Sequence, residues 1–212
     1  LKEIGKNDPD SFLTFYVWMQ RVGLIPETCL TMEQLLNSDI AVIINPVKEW
    51  DPKDLYRLKS YVADGGKLLV MDSTMDSPST SRQILSLWDI GFSAEKQKKM
   101  NNPNPQKYYD NFLEKTQFSD RETSPTLFSY VTEPDKNLYL VSYLSVVGGK
   151  ALLKNKNEDS ILSILDYGNG KVMVFGSSHI FNDTTMGETS VVPNKYQWDI
   201  SKLEFFMCNI LK

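Results

Sequence analysis

The stretch Ile40-Ala41-Val42-Ile43-Ile44, then Asp51-Pro52 opening a polar segment with Leu55, Leu58 and Val62, then Gly65-Gly66 and Lys67-Leu68-Leu69-Val70-Met71, decides the fold. A continuous β-branched run such as 40–44 suits a strand buried on both faces of a parallel sheet. Asp51 is placed to cap a helix, with Pro52 at its first position, where the missing N–H costs nothing. Leu55, Leu58 and Val62 form an inner stripe, and Gly65-Gly66 stops the helix. Residues 67–71 then read as a second buried strand. Strand, helix and strand over about 30 residues make a βαβ unit.

Working outward, Asp8-Pro9-Asp10-Ser11 reads as a helix start, followed by Phe12, Phe15, Tyr16, Met19 and Val22 at helical spacing. Thr31-Met32-Glu33-Gln34 fits a capping box, with Leu30 and Leu35 placed as a hydrophobic staple. Ser81 to Trp88 reads as a further helix. From about 93 to 135 the periodicity fails among prolines, asparagines and lysines, so this part of a single domain spanning 1–212 reads as an insertion or long loop. Ser160 to Tyr167, the turn Gly168-Asn169-Gly170 and Lys171 to Phe175 read as a β-hairpin. A closing helix runs from about Tyr196 to Ile210. The expected class is α/β: a three-layer sandwich on a flavodoxin-like, mostly parallel sheet, with a β-hairpin near the C-terminus. Such a fold normally opens with a strand before its first helix. Only Leu1 to Ile4 remains to supply it, so that strand is either short or cut off.

Composition narrows the function. The 212 residues carry 23 basic and 27 acidic side chains, a net charge of −4, which argues against a nucleic-acid partner. The basic and aromatic stretch Lys96 to Phe112 reads as a solvated loop. Two cysteines and one histidine are too few for the usual zinc sites, so neither a metal nor a cofactor is expected. No run reaches the roughly 18 apolar residues of a membrane span. The chain opens on Leu1 without a methionine, which suggests an excised segment and gives a weak lean to an extracytoplasmic soluble domain.

Ser38 to Pro46, Asp51 to Met71 and the late run Tyr167-Gly168-Asn169-Gly170-Lys171 through His179-Ile180-Phe181-Asn182 resemble class I glutamine amidotransferase-like domains. The resemblance is to the non-amidotransferase branch, which includes trehalose-utilisation-type, gliding-motility and intraflagellar-transport domains. In the catalytic members a cysteine sits on a strained elbow after a central strand, and a histidine and a glutamate follow the last strand. Here the elbow is Met71-Asp72-Ser73-Thr74, with no cysteine, and Ile180-Phe181 follow His179. The resemblance therefore implies a domain without glutaminase activity, a pseudoenzyme.

Ligands in open α/β sheets bind beyond the carboxyl ends of the strands. That places Asn45, Trp50, Asp72, Ser73, Thr74, Ser177, Ser178, His179 and Asn182 as candidate ligand-binding residues, suited to a small polar molecule such as a carbohydrate, or to a protein partner. The plainer alternative is that Asn45 and Asp72 only cap turns. A hydrolase acting on carbohydrate or ester substrates would use Ser73 as nucleophile and His179 as base. Ser73 lacks the flanking glycines of a nucleophile elbow, and no catalytic residue is expected. Asn182-Asp183-Thr184 matches a glycosylation triplet, a pattern common by chance.

Overall fold

Helix α3 (Pro52–Ala63) begins where the Asp51 carboxylate accepts the Lys53 N–H at 2.7 Å, and it stops at Gly65, whose φ of 118° suits glycine alone. Leu58 and Val62 are its buried stripe. It joins strands β1 (Ile40–Ile44) and β2 (Lys67–Met71), which pair in parallel over all five residues. In this computed structural model, residues 11–21, 23–73, 79–93, 117–118, 144–154, 159–181 and 183 are described.

Ahead of β1 lie α1 (Leu13–Arg21) and α2 (Met32–Leu36). The capping box of α2 forms as expected: Gln34 N–H donates to the Thr31 hydroxyl, and the Gln34 amide oxygen accepts from the backbone of Leu30 and Thr31. The staple does not, because Leu30 remains 86 % exposed. After β2 come α4 (Ser81–Leu85), a 3-10 turn over Ser86–Trp88, and β3 (Gly91–Phe92). Beyond these lie β4 (Gln117–Phe118), β5 (Val146–Val147), β6 (Lys150–Lys154), β7 (Ser160–Tyr167) and β8 (Gly170–Phe175), then a 3-10 turn over Ser178–Phe181.

Among the described residues a six-stranded sheet runs β1-β2-β8-β7-β6-β4. β1, β2 and β8 are mutually parallel, and β8, β7, β6 and β4 are joined antiparallel. β7 and β8 are the expected hairpin, turned at Gly168 with φ of 59°. Leu68, Val70, Val172 and Val174 pack with Leu58, Val62, Ile84 and Leu85 on one side. By the period of two, Leu69 and Met71 face the other side. There Phe181 lies against both Phe175 and Phe15 of α1, with ring centroids 5.8 and 5.1 Å apart. Helices thus cover both faces, giving the expected three-layer α/β sandwich.

One expectation is corrected. β2 is buried on both faces from Leu68 onward, but β1 alternates and forms an outer strand of the described sheet. An apolar run of five residues suits an edge as well as a centre, and only the strand order separates them.

β3 and β5 pair antiparallel, and Ser93 N–H donates to Ser145 O at 2.8 Å, so residues 93 and 145 lie side by side. Within the segment read as an insertion, Gln117–Phe118 extends the sheet beside β6. The rest of that segment, the Lys96 to Phe112 stretch and the closing helix lie outside the described residues, as do Thr74 and Asn182.

Asp183 has a structural role with no clear signal in the sequence. Its carboxylate accepts the Ser11 hydroxyl at 2.5 Å and the Thr14 N–H at 2.6 Å, and its own N–H donates to Ser11 O. It caps α1 from 169 positions away. Replacing Asp183 with alanine is expected to cost about 1–2 kcal/mol of stability, the usual range for a lost cap. Urea titration checks this, and an unchanged midpoint would remove the capping role.

Candidate functional site

The carboxyl ends of β1, β2 and β8 converge through a chain of hydrogen bonds. Asn45 leaves β1 with φ of 43°, a left-handed conformation that asparagine tolerates better than most residues. Its N–H donates to Met71 O at 2.9 Å, and its side-chain oxygen accepts the Ser178 hydroxyl at 2.7 Å. Ser178 N–H donates to Asp72 O, and Asp72 N–H to Phe175 O. The exits of three strands are therefore tied to one another.

Asp72 lies at the centre and is 3 % exposed. One carboxylate oxygen accepts the Ser73 N–H at 2.7 Å. The other accepts the hydroxyls of Ser79, at 2.5 Å, and Ser81. A buried carboxylate needs such donors, since each replaces water lost on burial. Ser79 and Ser81 are the partners that sequence reasoning missed. The Ser79-Thr80-Ser81 run at a helix start was the available signal, a pattern suited to caps.

Ser73 is 7 % exposed, and its hydroxyl has no hydrogen-bond partner among the described residues. The backbone of His179 lies in the 3-10 turn after β8, while its side chain is outside the described set. Ser177 and Ser178 are fully buried. Trp50 packs against the core, its N–H donates to the Gln83 side chain at 2.9 Å, and its indole nitrogen is buried without a partner among the described residues. Thr80 binds the carbonyls of Pro46 and Lys48, which secures the loop after β1 to the start of α4. Of the candidate residues, Asn45, Asp72 and Ser178 are joined by hydrogen bonds, with Ser73 attached through its backbone. Trp50 is held to the neighbouring α4.

At the opposite end of β1 and β2, an open depression of about 700 Å³ is lined by Ser38, Asp39, Tyr56, Tyr61, Asp64 and Lys67, among others. Tyr61 lies over Gly66 and donates its hydroxyl toward Ser38 O and Lys67 O, at 3.0 and 3.1 Å. Burial pushes the Tyr61 phenol above its ordinary value of 10.0; Asp39 adds to this, and its hydrogen bonds oppose it. A raised folded-state value means a stability share that is present below pH 10 and lost as pH rises through the folded value. Stability of the natural chain is therefore expected to fall more steeply above pH 10 than that of Tyr61→Phe, checked by urea titration across that range. Parallel profiles would contradict it. Cys29 is likewise raised, by burial first and by Glu27, which keeps the thiol protonated at neutral pH.

Among the described residues no helix is long and apolar enough to cross a membrane. No protein-family model and no curated protein matches the sequence. Solved structures do share the fold. The mmIFT52 N-terminal domain superposes with a TM-score of 0.56 at 17 % identity, over 98 % of this chain and 94 % of that one. Two cytoplasmic proteins of Salmonella typhimurium give 0.56 at 16 % identity, over 95 % and 86 %, and 0.54 at 15 %, over 92 % and 77 %. At such identities the likeness establishes the fold.

Proposed function

We propose that this chain is a catalytically silent domain of the glutamine amidotransferase-like type, which binds a polar ligand or a partner protein within a larger assembly. The observation that carries this is the state of the elbow after β2. The Asp72 carboxylate is taken up by Ser73 N–H, Ser79 and Ser81, and Ser73 is itself buried. A serine nucleophile needs a base oriented by a third group, and the carboxylate beside Ser73 is already engaged with other donors. The mmIFT52 neighbour, an N-terminal domain and so part of a longer protein, supports the assembly context.

In this reading the ligand-binding residues are Asn45, Trp50, Asp72, Ser73, Ser177 and Ser178, together with Thr74, His179 and Asn182 as the sequence proposes them. The extracytoplasmic lean gains no support, since two of the fold neighbours are cytoplasmic proteins. Hydrolysis of p-nitrophenyl acetate and of p-nitrophenyl glycosides by the natural chain is expected to equal that of Ser73→Ala. A hydrolase would instead lose about 1,000-fold or more in kcat on losing Ser73 or His179. Titration with neutral saccharides, followed by amide shifts at Asn45 and Ser178, separates ligand binding from partner binding.

A further inference from the structure

We infer that Asn169 is a site of spontaneous covalent modification, where loss of the side-chain amide as ammonia loosens the seat of the β7–β8 hairpin on α3. The site lies at the opposite end of the sheet from the strand-end residues, and the inference stands without them.

Asn169-Gly170 is the single Asn-Gly pair among the 212 residues. Asparagine is a thermolabile side chain, and a following glycine leaves its own backbone nitrogen open to close approach. The Gly170 nitrogen attacks Asn169 Cγ, the Cγ–Nδ2 bond breaks, and ammonia leaves with the proton of the Gly170 N–H. Water then opens the cyclic imide at one of its two carbonyls. Opening at Cγ gives aspartate. Opening at the main-chain carbonyl gives a β-linked aspartate, whose backbone is one carbon longer.

The fold exposes one member of the pair and fixes the other. Asn169 is exposed at the tip of the turn, while Gly170 is buried. A methyl group on Gly170 would overlap the carbonyls of Val62 and Gly66, so packing requires glycine there. Tyr167–Gly170 is the last pair of the β7–β8 ladder. Attack by the Gly170 nitrogen therefore needs only an opening confined to the two-residue turn.

The same tip is where a changed backbone has its largest effect. Asn169 N–H donates to Ala63 O at 2.9 Å, and Lys171 N–H donates to Gly66 O at 3.3 Å. A backbone lengthened between residues 169 and 170 cannot keep both bonds while Gly170 stays against Val62 and Gly66. Either product also places a negative charge beside Gly65, next to Asp64 at the C-cap of α3. That helix has no basic residue in its last turn, and negative charge at a helix C-terminus is unfavourable.

The test is incubation of the 212-residue chain in mildly alkaline buffer, followed by peptide mapping with mass spectrometry and isoaspartyl methyltransferase labelling. Asn169 should convert ahead of Asn37, which is exposed but followed by serine. Conversion should be faster still in urea, where the Gly170 nitrogen is free. In the converted chain the Lys171 amide should exchange at least about tenfold faster than in the fresh chain. Asn169→Gln closes the corresponding ring far less readily, so its aged sample should keep both the amide and the Lys171 protection. Three results overturn the inference. They are Asn169 converting no faster than Asn37 in the folded chain, a converted chain with unchanged Lys171 exchange, or an equal loss of protection in aged Asn169→Gln.

Discussion

Replacing Asp72 with alanine is expected to lower the free energy of unfolding by about 3 kcal/mol or more. The carboxylate is buried and accepts the Ser73 N–H and the hydroxyls of Ser79 and Ser81. Alanine leaves all three donors facing a cavity, and hydrogen bonds to an ionised group are individually worth about 1.5–3 kcal/mol. Part of that loss is offset, because the substitution also removes a buried charge with its own desolvation cost. Asp72→Asn should be milder, about 1–2 kcal/mol. Its amide oxygen can keep the Ser73 N–H while the serine hydroxyls rotate to accept from the amide nitrogen. Urea unfolding of the two variants checks both the size and the order. A loss under about 1 kcal/mol for alanine would show that Asp72 does not organise this end of the sheet.

Gly176→Ala is expected to cost a similar amount, about 3 kcal/mol or more, for a steric reason. Gly176 follows β8 directly, with its N–H donating to Ile161 O and its carbonyl accepting from Leu144 N–H. A methyl group there would overlap the Leu144 carbonyl, which is backbone and cannot turn aside as a side chain can. Relief requires β8 to part from the segment leading into β5, and that would also shift Ser177 and Ser178 beside the site. Gly91→Ala is the matched control. A methyl on Gly91 meets nothing within 4 Å, and its cost should stay under about 1 kcal/mol. Thermal unfolding of the pair measures the contrast, and equal midpoints would argue against the close approach at Gly176.

Local chemistry made much of this protein legible in advance. Asp51-Pro52 and Gly65-Gly66 bound α3 because a cap and a left-handed stop are properties of a few neighbouring atoms. The capping box at Thr31 and the Gly168-Asn169-Gly170 hairpin follow for the same reason. The candidate residues Asn45, Asp72 and Ser178 were placed from the rule that strand ends of an α/β sheet converge, and the hydrogen bonds join them.

What the sequence determined by itself, then, was helices α1 to α3, strands β1 and β2, the β7–β8 hairpin and the end of the sheet where polar residues gather, while β3 to β6 had no clear signal in it. The tertiary structure alone decided which of those polar groups satisfy one another. Ser79 and Ser81 close over Asp72, and Asp183 caps α1 from the far end of the chain. It also decided that β1 alternates in burial at an outer position of the described sheet while β2 is enclosed, although the two runs read alike. The physical reason is common to both. Periodicity and caps are set by residues within a turn or two of one another, whereas hydrogen-bond partners and strand order depend on contacts between segments distant in the chain.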